Sequence, residues 1–66
     1  MELVTGTVCS VRGDRSLPNH DVVHIELDDQ TSDGTRMFSF RVPRRNFVRG
    51  DKVRLRILGH KAEIVS

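Results

Sequence analysis

The stretch KVRLRI, residues 52–57, decides the fold class of this chain. Its side chains alternate without a break between basic and apolar, and Val53, Leu55 and Ile57 share one side of an extended segment. Successive side chains of a β-strand point to opposite faces, so a period of two predicts a strand with one buried and one solvated face. Such strands are typical of antiparallel sheets.

The same period recurs along the rest of the chain. VVHIELDD (22–29) and RMFSFRV (36–42) alternate in the same way, and KAEIV (61–65) is a short closing strand. LVTGTVCSVR (3–12) is rich in β-forming residues but contains Gly6. A glycine inside a long strand predicts a bulge or a sharp bend at that position.

Turn-forming residues separate these segments. Asp33-Gly34 is typical of a hairpin turn between the second and third strands, and Gly50-Asp51 precedes the fourth. Pro43 has no N–H for a ladder, so the third strand is expected to end there or to run along an edge. Residues 44–50 have room for one short helical turn. The order is a three-stranded meander, a connection and a hairpin, within one domain that spans residues 1–66.

Two segments carry a resemblance to a known family. VTGTVCSV (4–11) is similar to the first strand of bacterial single-stranded-DNA-binding and primosomal replication proteins, and FVRGDKVRLRI (47–57) is similar to their turn and fourth strand. The chain thus resembles the oligonucleotide/oligosaccharide-binding (OB) fold. This resemblance implies an all-β, five-stranded antiparallel OB-like barrel that acts by binding single-stranded nucleic acid. The residues themselves predict little or no helix, a departure from the family, which usually has a helix between the third and fourth strands. An SH3-like barrel is the alternative fold, because many small barrels carry a GDxVxL segment.

Charge is concentrated in one part of the sequence. Residues 41–57 carry seven basic side chains and one acid, Asp51, whereas the whole chain has a formal charge of only +2. Side chains two apart on a strand are about 6.5–7 Å apart, close to the spacing of phosphates along an extended single strand. The cations of the third and fourth strands are expected to form one continuous outer ridge. The predicted nucleic-acid-binding residues are Arg41, Arg44, Arg45, Phe47, Arg49, Lys52, Arg54 and Arg56.

Two features weaken this interpretation of the basic segment. Phe38 and Phe40 fall on the apolar face, which leaves Phe47 as the sole candidate for stacking on a base, and a loop anchor is its alternative role. In addition, Glu26, Asp28 and Asp29 follow the outer face of the second strand and are expected to pair with Arg41. Such pairing would shift a ligand toward the fourth strand and residues 43–50.

Other classes of function remain open. One alternative is a protein-interaction or adaptor module that docks an acidic partner or forms a homo-oligomer. Another follows from GDKVRLRILGHKAEIVS (50–66), which resembles the Mop and TOBE modules and implies oxyanion binding, although MELVTG (1–6) lacks their Ser- and Asn-containing segment.

Catalysis and cofactors are not expected. Cys9 and His24 lack an orienting third group, and the three histidines lack metal-ligand spacing, so we predict no catalytic residue, no metal and no cofactor. A single cysteine, with no secretory segment and no membrane span evident, predicts a cytoplasmic protein.

Overall fold

The computed structural model describes residues 2–59 and 61–65. Five strands follow one another along the chain: β1 (Glu2–Gly13), β2 (His20–Leu27), β3 (Met37–Pro43), β4 (Lys52–Leu58) and β5 (Lys61–Ile64). Each predicted strand is present, with bounds within two residues of those expected. The described residues contain no helix, and the connection before β4 is built from turns instead of the helical turn that the sequence allowed.

The five strands form one antiparallel sheet that curls into a nearly closed barrel, in the order β3-β2-β1-β4-β5. The long strand β1 is shared between two partners. Its first half pairs with β4 from Glu2 to Thr7, and its second half pairs with β2 from Gly6 to Gly13. The meander β1-β2-β3 and the hairpin β4-β5 are the arrangement that the turn residues predicted.

The bulge in β1 lies at Cys9, not at Gly6 as predicted. The register of the β1–β2 pair shifts between Val8 and Ser10, which makes Cys9 the extra residue. Val8 and Val11 therefore both pack into the barrel although they are three positions apart. Gly6 is instead fully paired, opposite Leu27 on one side and Val53 on the other. A single glycine in a strand signals close backbone approach as well as a bulge, and close approach is the cause here.

The interior is filled by the apolar faces that the alternation predicted. The buried residues are Val8, Val23, Ile25, Leu27, Val42, Val53 and Leu55, with Phe38, Phe40 and Ile57 among the partly buried side chains packed against them. Burying one such side chain contributes about 1.5–3 kcal/mol of transfer free energy. In a chain of 66 residues this small core provides the main driving force for folding.

The connection between β3 and β4 crosses one end of the barrel. It starts at Pro43, which pairs with His20, and it finishes beside Val8, whose N–H donates to the Asp51 carbonyl at 2.9 Å. Gly50 has φ +96, a conformation that side chains beyond glycine rarely adopt, and its N–H donates to the Val8 carbonyl at 2.8 Å. The connection is thus tied to the sheet at both ends.

The barrel has a seam where β3 and β5, the two outer strands of the sheet, face each other. A cleft of about 350 Å³ lies along it, lined by residues that include Phe38, Ile57 and Lys61. Pro43 ends β3 as expected. The described residues include no helix long and apolar enough to cross a lipid bilayer.

Candidate nucleic-acid interface

The basic side chains of β4 lie on its outer face, as the alternation predicted. Lys52 and Arg54 are exposed, and Arg56 is half-buried. Lys52 Nζ lies 3.6 Å from Asp28 Oδ1, and Arg56 Nε donates to Glu63 Oε1 at 2.6 Å. Two of the cations along this strand are therefore paired with carboxylates that reduce the charge available to a ligand.

Arg41 is also paired, but with a residue that the sequence did not suggest. Its Nε contacts Oδ2 of Asp14, in the connection between β1 and β2. The pairing expected with the acids on and just after β2 is wrong: Arg41 lies opposite Val22, Glu26 lies opposite Met37, and Asp28 pairs with Lys52. A register fixed by the hydrophobic pattern decides which side chains are neighbours, and that register places the β2 acids at the far end of β3.

Asp14 is held by its own loop as well as by Arg41. Its Oδ1 accepts a hydrogen bond from the Ser16 N–H at 2.8 Å. That hydrogen bond, and then the nearby Arg41 guanidinium, lower the pKa of the Asp14 carboxyl against the opposing effect of desolvation. The Asp14 side chain is 5% exposed and the Arg41 side chain is 54% exposed, so the cation of this pair is accessible to solvent and the carboxylate is not.

The expected continuous ridge of cations on β3 and β4 is not formed. Strands β2 and β1 separate β3 from β4 on one side, and β5 separates them on the other. Arg41 therefore belongs to a different part of the surface from Lys52, Arg54 and Arg56. Periodicity showed which face each cation occupies, but the order of strands within the sheet decides which cations are neighbours.

Arg44, Arg45 and Arg49 lie in the connection across the barrel end, and all three are exposed. Within the described ranges 2–59 and 61–65, no carboxylate forms an ion pair with any of them. Arg45 adopts φ +66, and its N–H donates to Asp21 Oδ2 at 3.1 Å. Asp21 is buried, so its carboxylate fixes the loop backbone while the arginine side chain extends into water.

Phe47 is half-buried and packs against the core cluster. This packing matches its alternative predicted role, an anchor for the loop. Phe38 and Phe40 also pack against the core, with ring centroids 6.2 Å apart. Each of the three phenylalanines thus contributes to the interior, and none stands exposed as a stacking platform.

Two cations outside the predicted set lie at the same end of the barrel. Arg12 and Arg41 both pair with Val22, one from each side, so they lie on the same outer face of β1 and β3, about 10 Å apart across β2. The Arg44 guanidinium lies next to Gly13 at the end of β1, since a Cβ built on Gly13 would be 3.9 Å from Arg44 Nη2. Arg15 is exposed in the connection that follows β1. We call this surface the arginine end; its residues are Arg12, Arg15, Arg41, Arg44 and Arg45.

A signal for Arg12 was present in the sequence. In an antiparallel meander the first and third strands run in the same direction, so the ends of β1 and β3 meet at one end of the sheet. Arg12 and Arg41 each lie one or two residues before the end of their strand. The position of Arg15 depends on the path of the connection between β1 and β2, which no periodicity predicts.

The polar groups of β1 and β2 make structural contacts. The half-buried Cys9 thiol donates to the His24 carbonyl at 3.3 Å, and His24 Nδ1 lies 2.8 Å from Ser39 Oγ on the outer face. In the part of the chain that the structure describes, no three His, Cys, Asp or Glu side chains are grouped as metal ligands. His60 lies outside the described residues.

Comparisons of this chain with protein-family models, with curated proteins and with solved structures found no match.

Proposed function

We propose that this chain is a non-enzymatic, OB-like binding barrel that holds single-stranded DNA or RNA by its backbone phosphates, with little sequence selectivity. The observation that carries the proposal is the connection across the barrel end, where Arg44, Arg45 and Arg49 are exposed and the structure pairs none of them with a described carboxylate. A guanidinium presents two parallel N–H groups to a phosphate and stays charged at any physiological pH.

The mode of binding follows from what surrounds these arginines. The phenylalanines are engaged in the core, so base stacking on an aromatic ring, which contributes about 1–3 kcal/mol per base, is not a feature of this surface. Phosphate contacts carry no sequence information by themselves. Guanidinium planes can stack on unpaired bases, which favours single strands over duplexes. Affinity should therefore depend on salt and hardly at all on sequence.

The arrangement of strands supports the OB-like part of the proposal. The turn residues predicted a meander followed by a hairpin, an order that the OB fold shares, and the sheet order β3-β2-β1-β4-β5 contains both. In OB-fold proteins the face of the second and third strands and the connections after the first and fourth strands bind oligonucleotides. Arg41 of β3 and Arg15 in the connection after β1 lie at such positions, and the basic connection leads on from the end of β3.

A fluorescein-labelled 15-nucleotide thymidine oligomer tests the proposal by anisotropy at 50 and 200 mM salt. Wild type should bind, and its affinity should fall steeply between the two conditions. Arg44→Gln/Arg49→Gln should weaken binding and reduce the salt slope by about 0.7 for each lost phosphate contact. The matched control is Lys52→Gln/Arg56→Gln, which removes the same charge from side chains that already have carboxylate partners.

The control should change affinity less than the loop variant does. Absence of binding by wild type at 50 mM salt would remove the proposal, and so would equal losses in both variants, since the effect would then reflect net charge alone. A duplex of the same length and a random-sequence single strand complete the set. The duplex should bind more weakly, and the random strand should match the thymidine oligomer.

A protein-interaction module is the second candidate, and the seam favours it. Strands β3 and β5 each have one edge that pairs with no other described strand. Such edges accept a further strand from a peptide or from a second copy of the chain. Sedimentation of the protein free of nucleic acid tests this candidate: a defined dimer would support it, and a monomer at high concentration would count against self-association through the seam.

A further inference from the structure

The arginine end combines exposed cations with buried anions. Its five arginines are all exposed, whereas the two carboxylates beneath them, Asp14 and Asp21, are almost completely covered. Both carboxylates are bound to backbone N–H groups, Asp14 to that of Ser16 and Asp21 to that of Arg45. The acids therefore fix the loops, and the surface that a ligand meets is strongly positive.

Backbone hydrogen bonds hold the two connections of this end together. Asp14 N–H donates to the His20 carbonyl at 3.0 Å, and Arg44 N–H donates to the Asn19 carbonyl at 2.9 Å. Arg45 has φ +66, a strained conformation that costs about 1–3 kcal/mol, and Asn19 has the same φ, which asparagine tolerates. Residues kept in such conformations are concentrated at ligand clamps. The arginines are thus presented from a backbone fixed by several bonds.

We infer that Arg12 and Arg15 belong to the phosphate-binding surface, so that a single strand bound at Arg44 and Arg45 continues onto the outer face of β1 beside Arg41. This inference rests on the proposed function and specifies the path that the ligand takes. Arg12 and Arg41 are separated by two strand spacings, about 10 Å, which is longer than one phosphate spacing of an extended single strand and shorter than two. The path leads away from β4, whose Lys52 and Arg56 are paired.

The test uses the same labelled thymidine oligomer at 50, 100 and 200 mM salt. Arg12→Gln/Arg15→Gln should weaken binding about 25-fold at 100 mM salt, about fivefold for each lost contact, and reduce the salt slope by about 1.4. The matched control is Arg36→Gln/Lys61→Gln, which removes two exposed cations from elsewhere on the barrel. Arg36 is hydrogen-bonded to Leu27, which pairs with Gly6 of β1. Gly6 lies about 20 Å along β1 from Arg12.

Each outcome separates the inference from the proposed function. A loss confined to Arg12→Gln/Arg15→Gln supports the inference. If wild type binds and Arg44→Gln/Arg49→Gln fails to bind, while Arg12→Gln/Arg15→Gln behaves like its control, the inference is wrong and the proposed function stands. If wild type does not bind, both are wrong. Tighter binding of poly-glutamate than of the oligomer would also overturn the inference, because the surface would then select acidic protein. All four substituted side chains are exposed, so the variants should fold.

Discussion

Gly6 is a residue at which β1 and β2 approach each other closely. A Cβ built on it would stand 2.8 Å from the Glu26 carbonyl oxygen and 2.8 Å from Ile25 Cγ2. The first of these atoms is backbone and cannot rotate away. A side chain at this position therefore pushes β2 away from β1 at the Gly6–Leu27 pair, where the β1–β2 ladder begins.

Gly6→Ala should destabilise the protein by about 1–3 kcal/mol, the usual cost of adding a methyl group to a site with no free space. Gly13→Ala is the matched control, because it makes the same change in the same strand. The atom nearest to a Cβ at Gly13 is the Arg44 guanidinium at 3.9 Å, an ordinary contact. Urea unfolding of both variants is the measurement. Equal midpoints would show that β1 and β2 are not this close.

Cys9 and Arg41 show which features of single residues the sequence predicts and which it does not. Alternation predicted that Arg41 faces water and that Val42 faces the core, and both are confirmed. It did not predict that Cys9 would be the extra residue of the bulge, since nothing local distinguishes it from Ser10. Nor did it find Asp14 as the partner of Arg41, because that contact depends on how a six-residue connection returns the chain to β2.

At the scale of elements, the connection between β2 and β3 is held together by several hydrogen bonds among its own residues. Thr31 N–H donates to the Thr35 carbonyl at 2.9 Å, and Gly34 N–H donates to the Thr31 carbonyl at 3.0 Å. The Asp33 carboxylate accepts from the Thr31 hydroxyl and from the Thr35 N–H. Asp33-Gly34 was predicted to form this turn, and Gly34 has φ +89. The supporting bonds from Thr31 and Thr35 were not predicted, although side chains of this kind often stabilise turns.

This loop should make folding stability depend on acid pH. The Thr31 hydroxyl first, and then Thr35, lower the pKa of Asp33 from 3.8 to about 2. The folded state therefore binds the proton less tightly than the unfolded state does. The contribution of Asp33 to the free energy of unfolding is therefore complete above about pH 4 and is lost as the pH falls through about 2. The lowered pKa values of Asp14 and Asp28 act in the same direction.

Thermal unfolding between pH 6 and pH 2 measures this effect. The wild-type melting temperature should fall as the pH drops below 4, and Asp33→Asn should be less stable at pH 6 and show a shallower fall. Asp29→Asn is the control, since Asp29 is an exposed carboxylate in the same connection that makes no side-chain hydrogen bond with the described residues. A pH profile of Asp33→Asn that runs parallel to that of wild type would contradict the assignment.

At the scale of the whole molecule, the fold class followed from period-two alternation in nearly every segment, but the charge distribution did not. The sequence places seven cations within residues 41–57, and the barrel divides them between the face of β4 and the barrel end. Three carboxylates from distant parts of the chain then pair with three of these cations. Linear clustering of charge is therefore a poor guide to surface potential in a small barrel, where strands close in sequence are separated in the sheet.

Those three ion pairs provide a way to locate the ligand by gain of affinity. Asp14→Asn releases Arg41, Asp28→Asn releases Lys52, and Glu63→Gln releases Arg56, and each raises the net charge by the same amount. Each carboxylate competes with the ligand's phosphates for the cation that it pairs with. Removing a carboxylate therefore strengthens binding only where the bound oligonucleotide contacts that cation. If the ligand lies on the arginine end, Asp14→Asn should tighten oligonucleotide binding about fivefold at 100 mM salt, as one additional phosphate contact requires, and the other two should have smaller effects. Asparagine keeps the oxygen that accepts from Ser16, which preserves the loop. Equal gains in all three variants would indicate a response to net charge alone. A gain confined to Asp28→Asn or Glu63→Gln would place the bound oligonucleotide along β4.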